Sequence, residues 1–278
     1  MCKVRNLQAI KAPVQTTGIP PYPMATLSLD LSGPYRKTLS GNIYIATFVD
    51  IYSGWPEAFP IPDKNADTII NLLLEEIIPR FSCPLSITTD NGGEFVNNSF
   101  EETLEYLNIT HITTSFYSPR GNTKTERSHG TLHSILAKIM SENEETWDLH
   151  LNTALSAMRF NVSKTTKQSP FFLLYNREPV LPLDNILKPR RKYEGEDFHL
   201  IALENQHKSF LKVVKQTRKS KEQQNHQANK NTKDQNFKVG DFVYYKNHNK
   251  TGKLQNNWLT HHVIINKRPQ YPSYYVTN

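Results

Sequence analysis

Three carboxylates stand out by type and spacing. Asp90 and Glu126 are separated by 35 intervening residues, and an earlier alternating run, Ala25-Thr26-Leu27-Ser28-Leu29-Asp30-Leu31, carries a third acid, Asp30. Acids delivered by three different elements to one point could hold two divalent cations. Such a pair, about 3.5–4 Å apart, would activate a nucleophile and neutralise the leaving oxygen of a phosphodiester. Hard cations such as Mg²⁺ prefer carboxylate oxygens and keep several waters, so two or three acids suffice. Singly, each acid has a plainer explanation. An Asp before Asn91-Gly92-Gly93 is a common turn residue, and a Glu in a first helical turn serves the helix dipole. His129 and His133 follow Glu126 at i+3 and i+7 on one helical face and could touch DNA or a phosphate, although two such histidines are more often solvated.

The elements that must place these acids are legible in outline. Period-two alternation predicts a strand over Ala25–Leu31 with Asp30 on its polar side. Ile43–Asp50 reads as a buried strand and Trp55–Ile61 as its hairpin partner. An amphipathic helix is predicted over Ala66–Ile78, ended by Pro79. Leu85–Thr89 reads as a short strand that delivers Asp90 into a glycine loop, where the backbone allows close approach. Phe100–Leu107 has a helical pattern and Ile109–Thr114 a strand pattern. A polar loop follows from Pro119. A helix starts near Thr123–Thr125, with Ile135, Leu136, Ile139 and Met140 on its core side. Trp147–Phe160 and a short helix from Ser169-Pro170 complete this part. The order βββαβαβα predicts an α/β fold with a mixed sheet flanked by helices.

Composition divides the chain. Residues 188–278 hold 18 Lys+Arg against 7 Asp+Glu, a net of +11. Against the chain totals of 33 and 26, residues 1–187 hold 15 and 19, a net of −4. An acidic, cation-binding front with a basic tail suits action on a polyanion, although a lysine-rich tail can also be merely solvated. Mean hydropathy is −0.59, and the longest apolar run, Ile69–Leu74, is broken by Asn71. No membrane span is predicted, nor a secretory leader. Two cysteines, Cys2 and Cys83, point to a reducing compartment. Prolines at 13, 20, 21 and 23 make residues 1–24 a connector. Residues 188–236 read as a basic linker, with a marginal helix over Phe198–Lys221 and an irregular Gln/Asn/Lys-rich stretch over Glu222–Asn236. Residues 237–278 are strongly β, with strands expected at Asp241–Tyr245, His262–Ile265 and Tyr274–Val276. No internal repeat is present.

Read together, the words around the acids resemble the integrase core of long-terminal-repeat retroelements. They are Thr89-Asp90-Asn91-Gly92-Gly93-Glu94-Phe95, Tyr117-Ser118-Pro119-Arg120-Gly121-Asn122 and Thr125-Glu126-Arg127-Ser128-His129-Gly130. Leu29-Asp30-Leu31-Ser32-Gly33-Pro34 is similar to that family's first acid segment, and Asp50-Ile51-Tyr52-Ser53-Gly54-Trp55 to its hairpin turn. The resemblance covers about residues 25–185 and looks Ty3/gypsy-like or Bel/Pao-like. It implies an RNase H-like core over residues 25–187. Asp30, Asp90 and Glu126 would bind two Mg²⁺ or Mn²⁺ ions. A cation-activated water would trim element DNA 3′ ends, and the freed 3′-hydroxyl would attack target DNA. Asn91, Gly92, Asn122, Lys124, Arg127 and His129 become DNA-contact candidates, with Gly93, Pro119 and Gly121 shaping the same loops.

Phe237-Lys238-Val239-Gly240-Asp241-Phe242-Val243-Tyr244 resembles the opening strand of the integrase C-terminal SH3-like module. It implies a small all-β SH3-like barrel over residues 237–278, with Lys246 and Lys253 against DNA. Thr260-His261-His262 departs from the gypsy-branch pattern at this point. Family members carry an N-terminal zinc module. A tetrahedral site needs four ligands and only Cys2 remains of that motif, so no structural zinc is expected, and residues 1–24 would be the remnant after a missing module. Implied partners are element and target DNA and further copies of the chain, acting in the nucleus after a cytoplasmic stage. The alternative is a host-recruited derivative that binds DNA or chromatin without catalysis.

Overall fold

A computed structural model describes residues 18–113, 123–140, 144–187, 198–229, 238–246, 258–267 and 274–277. The chain divides into two compact units. One is Thr17–Ser220, and the described residues of the other lie within Lys221–Asn278.

The larger unit is built on a five-stranded mixed sheet of order β3-β2-β1-β4-β5. Strands β1 (Thr26–Ser32), β2 (Tyr44–Asp50) and β3 (Pro56–Ile61) form an antiparallel meander. Strands β4 (Ser86–Thr89) and β5 (Thr110–Thr113) then add in parallel, β4 against β1 and β5 against β4. The predicted order of elements is therefore present, with β1 at the centre.

Alternation along β1 fixes which face each residue serves. Leu27 and Leu29 enter one buried cluster with Phe48, Ile87, Ile69, Leu73, Ile77, Phe95, Phe100 and Leu104. This cluster lies under α1 (Ala66–Asn71), α2 (Ile78–Phe81) and α3 (Asn98–Tyr106). Ser28 and Asp30 therefore belong to the opposite face. There Ile45 and Ala58 meet Leu132 and Leu136 of α4 (Thr123–Ile139) and Trp147, Leu151 and Leu155 of α5 (Trp147–Phe160). The predicted core positions Ile135, Ile139 and Met140 pack at the edge of the same cluster.

Two expectations are corrected. Pro79 does not end the first helix. Between α1 and α2 the backbone runs as a π-helix over Leu72–Ile77, and the Ile78 N–H donates to the Leu73 carbonyl, five residues back. Proline lacks an N–H and its ring crowds the preceding turn of an α-helix. One widened turn before Pro79 relieves that crowding, so the helical path continues to Phe81. The stretch Glu222–Asn236 is likewise not irregular throughout. After α6 (Pro170–Tyr175) and α7 (Pro182–Ile186), α8 runs over Phe198–Asn229. Its Gln, Lys, Glu and Ala residues are good helix formers, and neither Gly nor Pro interrupts them.

The Thr17–Ser220 unit takes in much of α8. Val213 and Thr217 are buried, and the Phe210 ring stacks on Tyr52 at 5.6 Å. In the smaller unit, β6 (Phe242–Lys246), β7 (Trp258–Lys267) and β8 (Tyr274–Thr277) form a three-stranded antiparallel sheet of order β6-β7-β8. Its strands lie where the aromatic and β-branched runs predicted them, with β7 longer at both ends.

Candidate active site

The parallel pairing of β1 and β4 brings two of the acids together. Its register is Thr26 with Ser86, Leu27 with Ile87 and Ser28 with Thr88. Asp30 lies two residues beyond the last pair on β1, and Asp90 directly follows the end of β4 at Thr89. Neighbouring strands lie about 4.8 Å apart, so the backbones of Asp30 and Asp90 stand toward the same end of the parallel pair. Both strands point that end toward the same rim because they run parallel.

Each acid is also oriented locally. The Leu31 N–H donates to Asp30 Oδ1 at 2.9 Å. The Gly92 N–H donates to Asp90 Oδ1 at 2.9 Å, so the glycine loop folds back onto the acid it follows. Asn97 anchors this loop. Its Nδ2 donates to the Gly93 and Glu94 carbonyls at 3.2 and 2.9 Å, while its Oδ1 accepts from the Phe100 N–H at 3.0 Å and caps α3. Just after β1, Gly33 has φ +131°, and a Cβ there would sit 2.8 Å from the Ile43 carbonyl oxygen. Only glycine allows the chain to leave Asp30 so close to β2.

Helix α4 crosses the same face. His129 is 9% exposed, and its Nδ1 lies 3.4 Å from Asp30 Oδ2. Burial, aided by the charge of His133, pushes the His129 pKa down to about 4, so the ring is neutral near pH 7 and its contact with Asp30 is polar rather than ionic. His129 stacks on His133 at 6.2 Å, and His133 meets the Tyr35 hydroxyl. Burial lowers the His133 pKa and raises that of Tyr35. His129 Nε2 is buried without a hydrogen-bond partner among the described residues. Glu126 stands three residues before His129, one turn away on the same face of α4. Its backbone therefore lies one helical turn from the His129 that meets Asp30, and its side chain lies outside the described residues.

Other predicted contacts are distributed unevenly. Asn91 and Gly92 lie beside Asp90, and Arg127 is exposed on α4. His129, expected as a DNA contact, is turned inward against Asp30. Lys246 ends β6. The side chains of Lys124 and Lys246 lie outside the described residues, as do Pro119, Gly121, Asn122 and Lys253 entirely. Among the described residues, which do not include the Glu126 side chain, no three His, Cys, Asp or Glu side chains form a cation-ready group. The donor chemistry of the three acids is nevertheless all carboxylate oxygen. That set fits Mg²⁺ or Mn²⁺ and not the thiolate and imidazole sets of structural zinc.

Sequence reading missed the role of Thr89 and His111. His111 Nε2 is 2.8 Å from Thr89 Oγ1, which donates to the Asp90 carbonyl at 2.7 Å. The available signal was a hydroxyl residue ending the strand directly before the acid, with a histidine inside the neighbouring strand.

A mixed sheet of this order, with acids at the shared end of its central parallel pair and a helix laid across them, has the RNase H-like architecture of an integrase catalytic core. A simian T-cell lymphotropic virus intasome, in complex with PP2A regulatory subunit B56 gamma, contains a chain of the same fold. The TM-score is 0.51 at 21% identity, over 69% of this chain and 66% of that one. Residues 21–119 match the integrase core domain family. The chain is 30% identical over 239 residues to the Pol polyprotein of radiation murine leukemia virus (strain Kaplan), covering 84% of this chain and 39% of that polyprotein. It is 34% identical over 143 residues to the Gag-Pol polyprotein of avian reticuloendotheliosis virus, covering 51% and 12%. The chain thus spans well under half the length of these relatives. Residues 21–119 thus match an integrase core domain, and the chain is homologous to the retroviral Pol and Gag-Pol proteins.

Proposed function

We propose that this chain is a retroelement integrase that trims the 3′ ends of element DNA and joins them to target DNA, with Asp30, Asp90 and Glu126 as the cation ligands. The observation that supports this reading is the parallel β1–β4 pairing, which directs Asp30 and Asp90 toward one end of the sheet, with His129 of the helix that contains Glu126 3.4 Å from Asp30. When bound by these acids, two Mg²⁺ or Mn²⁺ ions supply nucleophile activation and charge neutralisation at the attacked phosphate. The chain's own residues supply position. Leu31 and His129 hold Asp30, and Gly92 holds Asp90. Neutral His129 adds no positive charge to compete with a cation there.

DNA is the proposed partner for both the acid rim and the basic tail. Asn91, Gly92, Asn122, Lys124 and Arg127 would line the rim. Lys246 and Lys253 would meet phosphates on a module of SH3-like form, which the β6-β7-β8 sheet supports in part. Phosphate contacts of this kind position a duplex without reading its sequence. Joining two element ends calls for more than one copy of the chain, and a chromosomal target calls for action in the nucleus after a cytoplasmic stage. The Ty3/gypsy-like or Bel/Pao-like assignment rests on the motif words alone. No described helix is long and apolar enough to cross a membrane.

The test is strand transfer of a labelled duplex carrying an element end, with Mg²⁺ or Mn²⁺, comparing wild type and Glu126→Gln. Wild-type protein should yield cation-dependent joined products. The variant, having lost a ligand, should fall by about a hundredfold or more, beyond the 10–100-fold typical of an outer-shell change. Equal activity in both proteins, or DNA binding with no joining by either, rejects the proposal.

A further inference from the structure

We propose that Glu101, His111 and Thr89 form a positioning relay that fixes the Asp90 main chain from the face of the sheet opposite the acids. The inference rests on Asp90 being a cation ligand.

The relay crosses three elements. Glu101 lies in the first turn of α3, His111 inside β5, and Thr89 at the last position of β4. His111 Nδ1 is 2.7 Å from Glu101 Oε1, His111 Nε2 is 2.8 Å from Thr89 Oγ1, and Thr89 Oγ1 is 2.7 Å from the Asp90 carbonyl oxygen. A carboxylate only accepts, so Nδ1–H donates to Glu101. The Thr89 hydroxyl lies between His111 Nε2 and the Asp90 carbonyl oxygen, to which it donates.

The surroundings hold this line rigid. Thr89 is 0% exposed, and the His111 ring meets the buried Phe100 ring edge-on at 5.4 Å. Alternation explains the division of labour. Ile87 and Thr89 face the α3 side, while Asp90 continues onto the α4 side. Thr89 and Asp90 are thus the point where a buried polar line on one face meets the acid rim on the other. Asp90 is held twice, its carbonyl by Thr89 and its carboxylate by the Gly92 N–H. Removing the hydroxyl frees the Asp90–Asn91 peptide to rotate and swings the carboxylate, a displacement of the scale that costs a well-oriented site up to about a hundredfold.

The test compares Thr89→Val, nearly isosteric without a hydroxyl, with Thr89→Ser, which keeps it. Three measurements are made: strand-transfer kcat and KM, Mn²⁺ affinity by electron spin resonance, and amide hydrogen exchange over residues 91–94. Thr89→Val should lose about tenfold or more in kcat at unchanged KM for DNA and bind Mn²⁺ several-fold more weakly. Its Asn91 and Gly92 amides should exchange several-fold faster. Thr89→Ser should restore all three toward wild type. A role in stability alone would not produce that split of kcat from KM. Should Thr89→Val fail to fold, Glu101→Ala, at the half-exposed end of the relay, should shift the same readouts in the same direction by less. Equal exchange and equal Mn²⁺ affinity in the Val and Ser variants overturn the relay. If wild type proves inactive, the reading under Proposed function fails, and exchange at residues 91–94 still decides the relay.

Discussion

Tyr52 shows how burial at one residue becomes a measurable property of the whole protein. Its ring is buried against Phe210, and burial together with the negative charge of Asp50 pushes its pKa up to about 12. In an unfolded chain a tyrosine ionises near 10. The folded state keeps the proton longer, so this residue's contribution to stability is complete below pH 10 and is lost as pH rises from 10 through 12. Tyr52→Phe cannot ionise. Urea melts at pH 9 and pH 11 should show a smaller loss of stability in the variant than in wild type, and absorbance at 295 nm should lose its latest-titrating tyrosine. A wild-type phenol that titrates near 10 defeats this account. The Tyr52–Phe210 stack was not legible in the sequence, because 157 residues separate the partners and no local pattern couples them. The acids are candidates in the sequence because short motif words surround each of them.

At the scale of elements, a buried polar knot ties β3 to two helices. Glu57 on β3 is 3% exposed. It accepts from Trp55 Nε1 at 2.7 Å, from Arg159 of α5 at 2.8 Å and from Arg80 of α2 at 3.2 Å. Arg159 also donates to the Pro56 carbonyl and lies 4.6 Å from the Trp55 ring centroid. Removing one partner from such a group strands the others, so Glu57→Ala should destabilise the protein by about 3–5 kcal/mol in urea melts. A change under about 1 kcal/mol would show that the arginines find water instead. The Asn97 cap joins an element to the site. Asn97→Ala should cost about 1 kcal/mol for the lost cap and should speed amide exchange at residues 92–95 beyond that global change, since both its carbonyl acceptors lie in the loop after Asp90. Uniform exchange would mean that the cap stabilises α3 without shaping the loop. Hydrophobic period predicted these elements well, because Leu27 and Leu29 repeat at strand spacing and Ile135, Leu136 and Ile139 at helix spacing. Pro79 misled the reading because the remedy, a π-turn, depends on backbone hydrogen bonding and carries no residue signature. The Asn97 cap lies outside the Phe100–Leu107 helical pattern, because a cap is set by a hydrogen bond to the Phe100 N–H and not by apolar period.

For the molecule as a whole, charge is divided more sharply than structure. The net of −4 over residues 1–187 includes the acids where cations are proposed to bind, and the +11 over residues 188–278 includes α8 and the β6-β7-β8 sheet. An acidic rim repels a phosphate backbone until cations neutralise it, so on the proposed function the basic residues 188–278 would supply the attraction for DNA. Affinity of the full chain for a duplex of arbitrary sequence should therefore fall steeply with salt. Displacement of counterions from about four phosphates gives a slope near −3.6 in log affinity against log salt, or about a hundredfold between 50 and 200 mM. Replacing Lys212, Lys215 and Lys219 with Gln, all exposed on α8, should then flatten that slope if this helix shares the load. An unchanged slope would assign the attraction to the lysines of residues 237–278. Fluorescence anisotropy over a salt series, with Glu126→Gln as the control that removes a proposed ligand but no cationic side chain, separates attraction from catalysis. The Glu126→Gln protein should bind as tightly as wild type across the series, whereas a control that binds as weakly as the lysine variant would place the acid rim, and not the tail, in charge of holding DNA.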